Sequence, residues 1–227
     1  MLGRVLLPTS RLGRHDLTLA LLAFASGATD VLSFLALSGV FTSAMTGNTA
    51  LLGLAVGQGQ FGAAVRSFDA LAGFLMGVAA GTLPRDTGSS RSALVRILAL
   101  EALCLGLFTA LWGYWANLNK GMAVYGLILL SAAGMGIQSV AARRINLPGI
   151  PTVVFTSTLT SIVMAATEAV LKRPRFQFEA LRQLAVFCAY LLGTLLAGAM
   201  ASRGLGSIVM LPLIAVLGAL VSEYRSR

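Results

Sequence analysis

Residues 39–48 read GVFTSAMTGN, Gly39 to Asn48, and lie between long apolar runs of the chain. A lipid-facing helix would carry Leu and Val here, whereas this stretch carries Thr42, Ser43, Thr46 and Asn48. In hydrocarbon every backbone polar group needs a partner, so a broken or polar stretch survives only where protein buries it or where it lines a watery cavity. A second stretch resembles it. GIPTVVFTST, residues 149–158, matches at a constant offset of 110: Gly39 with Gly149, Thr42 with Thr152, Thr46 with Thr156, Gly47 with Ser157 and Asn48 with Thr158.

Working outward, the composition leaves room for little besides membrane. The 227 residues are 57% hydrophobic and 11% charged, with a mean hydropathy of +0.85, and a soluble domain carries about twice that charge. Apolar stretches between charges and turn signals give eight segments: 17–37, 40–57, 67–83, 93–116, 121–142, 152–171, 183–201 and 204–222. The organisation expected is a single membrane domain, with a tail over 1–16, a first half over 17–116, a second half over 117–222 and a short tail over 223–227. The net charge of +9 does not indicate nucleic acid, because Lys and Arg sit in short connections and no basic helix or aromatic-basic platform accompanies them. Cys104 and Cys188 lie in apolar segments and read as small core residues. His15 reads as a solvated residue beside the membrane. The run after Arg4, Arg11 and Arg14 passes a small-residue site at Ala23-Phe24-Ala25 but continues to Leu37, so it is expected to span rather than to be cleaved.

The likeness of the two polar stretches extends along the chain. With a six-residue insertion, Arg66 meets Arg182, Phe74 meets Tyr190, and Gly73, Gly77 and Gly81 meet Ala189, Gly193 and Ala197, a small-xxx-small ridge in both copies. The first segments align more loosely, through Gly27 with Gly134 and Asp30 near Gln138. If all eight segments span with the N-terminus inside, the inner side holds 11 Lys and Arg and the outer side 6; if 40–57 and 152–171 are re-entrant, the division is 14 to 3. Cytoplasmic loops concentrate Lys and Arg, so the expected fold is all-α and polytopic, with six full spans and two polar broken or re-entrant segments, and eight spans as the alternative. Re-entry makes the two halves opposite in direction, the inverted-repeat plan of many secondary transporters.

Several residues could carry chemistry in such a frame. In Thr46-Gly47-Asn48, Gly would permit a turn, and Thr and Asn could cap the half-helix that follows; a half-helix N-terminus is a place for an anion or polar headgroup. The alternative is that these hydroxyls and amides hydrogen-bond between helices as packing glue. Asp30 and Glu101 lie inside spans, where a carboxylate is costly and needs a reason. Each is a candidate coupling carboxylate; the structural alternatives are a hydrogen bond from Asp30 to Asn48 or Thr46, and a pair between Glu101 and an Arg such as Arg96. The candidate binding set is Asp30, Thr42, Thr46, Gly47, Asn48, Gln138, Thr156, Ser157 and Thr158.

The chain resembles the YoaK-like family of uncharacterised bacterial inner-membrane proteins, a domain-of-unknown-function family. The resemblance rests on Gly27-x-x-Asp30, on Gly39-Val40-Phe41 followed by Met45-Thr46-Gly47-Asn48, on Gly134-Met135-Gly136-Ile137-Gln138 with Arg143-Arg144, and on Thr156-x-x-x-Thr160. It covers nearly the whole chain. The family pattern has Asn at the position of Ser139 and Gly at that of Ser157, so the second half departs from it. The resemblance implies a bacterial inner membrane, and it implies no activity.

The function expected is movement of a small polar solute or ion through a midplane site between the halves, with the N-terminus cytoplasmic. A non-catalytic assembly or scaffolding protein would explain the small-residue ridges as well. A membrane-embedded enzyme fits less, since the spans offer no His, no Cys with an evident base and few carboxylates. No cofactor or metal is expected; the partners expected are lipid, the solute and, as an option, a second copy of the chain.

Overall fold

The computed structural model describes residues 15–84, 90–115, 121–145, 155–171 and 177–225. Among these residues every regular element is helical: α1 (Asp16–Ala36), α2 (Met45–Gly57), α3 (Phe61–Thr82), α4 (Ser90–Trp115), α5 (Ala123–Ile145), α6 (Phe155–Val170), α7 (Gln177–Ala201) and α8 (Met210–Arg225), with a 3-10 turn at Leu205–Ser207. Six helices are long and apolar enough to cross a membrane, namely α1, α3, α4, α5, α7 and α8 with the turn before it. Over the described residues the other two are short. The 13 residues of α2 and the 16 of α6 rise only about 20 and 24 Å at 1.5 Å per residue, against roughly 30 Å of hydrocarbon.

The helices outrun the apolar segments where a charge ended the hydropathy window without ending the helix. Thus α3 starts at Phe61 and carries Arg66 in its second turn, α7 starts at Gln177 and carries Arg182, and α5 continues through Arg143 and Arg144. Arg is a good helix former, so its charge does not terminate the backbone pattern. The eighth segment starts late instead, because Gly204 takes a φ of 120° and a 3-10 turn precedes Met210.

Side-chain contacts set the direction of every span. Arg182 pairs with Asp16 at 3.1 Å and Gly27 lies against Tyr190 and Thr194, so α1 and α7 run parallel. Gly73, Gly77 and Gly81 lie against Leu129, Ala133 and Ile137, so α3 and α5 also run parallel. In contrast, α8 is antiparallel to α1, since Glu223 meets His15 and Thr18 while Gly218 meets Leu21. Consecutive α4 and α5 form an antiparallel pair, with Leu105 against Gly134.

A topology follows from these pairings. The first and last spans place His15 and Glu223 at one end, the terminal face; α5 runs antiparallel to α1, with Gln138 on Leu22 and Ser131 on Thr42, and Arg144 donates to the Pro84 carbonyl at 2.9 Å, which puts the end of α5 and the end of α3 on that face too. Helix α1 therefore ends, and α3 begins, on the opposite face, and α2 lies between them without crossing. Likewise α5 ends and α7 begins on the terminal face, with α6 between. The two short helices are thus attached to opposite faces.

Helices α1 and α5 occupy the centre: α1 packs on α7 and α8, and α5 packs on α3 and α4. Their middles are nearly all small or polar, Ala23 to Asp30 and Ser131 to Ala142. Lipid gives helices no hydrophobic reason to associate, so close backbone approach and interhelical hydrogen bonds must supply the attraction. Glycines provide that approach. A Cβ on Gly77 would collide with the Ala133 carbonyl, one on Gly136 with that of Phe74, one on Gly193 with that of Phe24, and one on Gly27 with that of Tyr190. The small-residue ridges of α3 and α7 are helix-packing seams.

Candidate functional site

Asp30 lies six residues before the end of α1, about 9 Å back along the helix, and is 2% exposed. The connection from α1 to α2 folds down onto it. Consecutive left-handed residues, Ser38 with φ 65° and Gly39 with φ 82°, reverse the chain. The reversed strand then presents two backbone N–H groups to Asp30 Oδ1, from Thr42 at 3.1 Å and Ser43 at 2.8 Å. Asp30 Oδ2 accepts the Ser43 hydroxyl at 2.6 Å and the Tyr190 hydroxyl of α7 at 3.0 Å. A carboxylate offers about four lone-pair positions, and all four are taken.

Around this carboxylate the polar groups form a closed set. Ser131 of α5 donates to Thr42 Oγ1 at 3.1 Å, Thr42 Oγ1 lies 3.5 Å from Ser33 Oγ, and Ser33 donates to the Asp30 carbonyl at 3.1 Å. Asn48, fully buried in the first turn of α2, accepts the Phe41 N–H at 3.0 Å and returns its amide to the Phe41 carbonyl. The backbone of residues 41–43 would otherwise be unpaired within the membrane, at a cost of several kcal/mol per group. Asp30 and Asn48 satisfy it from opposite sides.

Several expectations are revised by this geometry. Gly47 is helical and makes no turn; the chain reverses at Ser38 and Gly39, and Gly47 instead leaves space for the Phe41 ring, which a Cβ would approach to 3.1 Å. Phe41 stacks on Phe34 at 5.2 Å between ring centroids. Asn48 secures the loop rather than the helix N-terminus, and Ala44 at the N-cap makes no side-chain cap. Thr46 is exposed and stays out of the cluster. The partners of Asp30 are Thr42, Ser43 and Tyr190, not Asn48 or Thr46.

Gln138 belongs to a second polar position, one to two turns nearer the terminal face. Its Nε2 donates to the Leu22 carbonyl at 2.9 Å and to Ser26 Oγ at 2.7 Å, tying α5 to α1. Glu101 is fully buried on α4 and does not pair with Arg96, which is exposed and bonds Ser92 at 3.3 Å. Thr158 is buried on α6. The side chains of Thr156 and Ser157 lie outside the described residues.

Ser33, Ser43, Ser131 and Tyr190 complete the Asp30 cluster without having been singled out as site residues. Serines are common in membrane helices as packing residues, so only Tyr190, a lone phenol in an otherwise apolar helix centre, carried a usable signal. Beside the cluster, on the opposite face, a cavity of about 80 Å³ is lined by Ser38, Gly39, Leu51, Ala55, Gln60 and Ser67 among others; neither Asp30 nor Asn48 lines it.

Glycines of α1 and α5 also mark where the two central helices meet α7 and α3. Gly27 lies under Tyr190 and Thr194, and Gly136 lies under Phe74 and Val78. Each of these glycines lets its central helix approach the backbone of a neighbouring helix. Ser139 of α5 donates to the Gly136 carbonyl of its own helix at 2.7 Å.

Comparison with known proteins agrees with the membrane architecture. No solved structure matches the chain. The UPF0700 transmembrane protein YoaK of Bacillus subtilis (strain 168) is 33% identical over 211 residues, covering 90% of this chain and 92% of that protein. Residues 18–222, from the first turn of α1 to the last turn of α8, match the family described as protein of unknown function (DUF1275). This multi-pass bacterial membrane protein belongs to that DUF1275 family.

Proposed function

We propose that the chain moves a small polar solute or ion across the bacterial inner membrane, through a site between two related halves of opposite orientation. One observation carries the reading: α2 and α6 are short, polar at their starts and attached to opposite faces, each between a central helix and a seam helix. The helix pairings support the same relation. The contacts of α1 with α7 and α8 have counterparts in those of α5 with α3 and α4, and α2 lies on α3 as α6 lies on α7. Secondary transporters with inverted repeats place substrate where discontinuous segments meet near the midplane.

In this reading the Asp30 cluster holds the first broken segment at depth, and Thr42, Asn48, Thr156, Ser157 and Thr158 lie at or near the surfaces the solute passes. Asp30 acts by positioning the loop, because its acceptor sites are filled from within the protein. The terminal face is cytoplasmic, since this arrangement gives it 14 of the 17 Lys and Arg.

Reconstitution tests the proposal. Liposomes containing the protein, challenged with glycerol, urea, glycine and potassium chloride as probes, should show protein-dependent flux of at least one. In a cysteine-free background, a bulky thiol reagent on Gln60→Cys, at the cavity, should slow that flux. A second reading, a non-catalytic assembly protein, is favoured by the internal satisfaction of the Asp30 cluster. Absence of flux for every probe, with the protein inserted and folded, would support that second reading instead.

A further inference from the structure

Two fully buried side chains, Glu101 of α4 and Gln138 of α5, carry oxygen atoms with no donor among the described residues. Both carboxylate oxygens of Glu101, and Oε1 of Gln138, are buried and unpartnered among the described residues. Gly134 of α5 lies against Leu105 and Cys104 of α4. In an antiparallel pair, one turn toward the C-terminus of α5 and one turn toward the N-terminus of α4 bring Gln138 and Glu101 to the same height. The Gln138 amide nitrogen is committed to Leu22 and Ser26 on α1, while its carbonyl oxygen has no partner among the described residues.

Three acceptors with no donor cannot all remain so. An ionised carboxylate without hydrogen bonds in an apolar core is far costlier than the neutral acid, and the surroundings are apolar: Ile97, Leu98, Leu105, Met135, Ile137 and Val216 belong to the same buried cluster. A metal ion would leave most of its coordination shell facing hydrocarbon. A proton needs one acceptor, and the Gln138 carbonyl is one. The other titratable groups are accounted for. Arg143 and Arg144 lie more than a turn beyond Gln138, Glu223 is held at the terminal face by His15 and Thr18, Asp30 is held by its four donors, and Cys104 sits one turn along α4.

We propose that Glu101 and Gln138 form a proton-binding site, in which Glu101 is a neutral acid donating its hydrogen to Gln138 Oε1. The site differs in kind from Asp30, whose acceptor positions are filled by donors from within the protein. Release of the proton to water requires α4 and α5 to part, so the proton reports the packing of this seam. As the coupling proton of a carrier it rests on the transport reading; its presence on Glu101 does not.

Infrared spectroscopy of the lipid-reconstituted protein at neutral pH reads the protonation without any solute. The parent should show a carboxylic-acid carbonyl band, absent in Glu101→Gln and kept in Asp30→Asn. In Gln138→Leu the band should move to higher frequency, as the acid loses its acceptor. No such band in the parent, a band unaffected by Glu101→Gln, or a band that falls as sodium is raised at constant pH would each overturn the proposal, the last in favour of a metal cation. If the band behaves as expected while liposomes carry no solute, the proton site stands and the transport reading fails.

Discussion

The Tyr190 hydroxyl of α7 donates to Asp30 Oδ2 of α1 at 3.0 Å, across 160 positions of sequence. It supplies the one donor to that carboxylate that does not come from the neighbouring loop. On the α3–α5 seam Phe74 lies against Gly136 of α5 and offers no phenol. The phenol–carboxylate bond therefore belongs to the α1–α7 seam.

Removing that donor gives the first prediction. Tyr190→Phe keeps the ring and its packing but loses a hydrogen bond to a charged acceptor, worth about 1.5–3 kcal/mol. Its unfolding midpoint in detergent should fall, whereas Phe74→Tyr should gain nothing, since no carboxylate awaits it. Equal midpoints for parent and Tyr190→Phe would show that the bond contributes no net stability.

Asp30 itself should show a graded response. In Asp30→Asn the amide oxygen still accepts the Thr42 and Ser43 N–H groups, and the amide nitrogen donates to the Ser43 and Tyr190 hydroxyls, which can turn to accept it. Asp30→Ala instead leaves two buried N–H groups unpaired, at about 1–3 kcal/mol each. Yield and midpoint should rank parent and Asp30→Asn close together and Asp30→Ala well below them. An Asn variant as damaged as the Ala variant would mean that the charge, and not the hydrogen-bond pattern, holds the loop.

Asn48 provides the matching test from the α2 side. Asn48→Ala frees the Phe41 N–H and carbonyl within the membrane, while Asn48→Asp keeps the acceptor and loses the donor. Limited proteolysis at residues 37–44 should accelerate in both, more in the Ala variant. Unchanged cleavage would remove Asn48 from the account of how this loop is held.

The seams can be tested by bulk. Gly77→Leu and Gly193→Leu place a side chain against a facing carbonyl, so yield and thermal stability should drop sharply. Gly198→Leu is the control, because no atom lies within 4 Å of a Cβ there. Tolerance of Leu at Gly77 would mean that α3 and α5 do not approach this closely.

Orientation is read by labelling single cysteines in intact cells with an impermeant maleimide, starting from a cysteine-free background. Gln58, Met122 and Ser202 are exposed near the opposite face, and Leu83 and Leu171 near the terminal face. The first three positions should react and the last two should not. An eight-span arrangement would hide positions 58 and 122 and expose position 83.

What the sequence by itself determined was the environment and the number of crossings, because both depend on additive, local quantities. Apolar length between charges delimits spans, and the count of Lys and Arg on each side distinguishes six crossings from eight. It also marked GVFTSAMTGN as the place where the chain cannot be an ordinary lipid-facing helix, and it found the glycine seams, since a four-residue spacing of small residues is legible in one dimension. Which groups Asp30, Asn48, Gln138 and Glu101 face was decided only by tertiary structure. Hydrogen bonds from Thr42, Ser43 and Tyr190 converge on Asp30 because the left-handed pair Ser38 and Gly39 turns the chain back and because α7 lies parallel to α1. Glu101 has no hydrogen-bond partner among the described residues, and the Gln138 amide nitrogen is taken up by Leu22 and Ser26 of α1. Such partnerships depend on directional bonds across separate helices, and a pattern of residue types along one chain does not encode their direction.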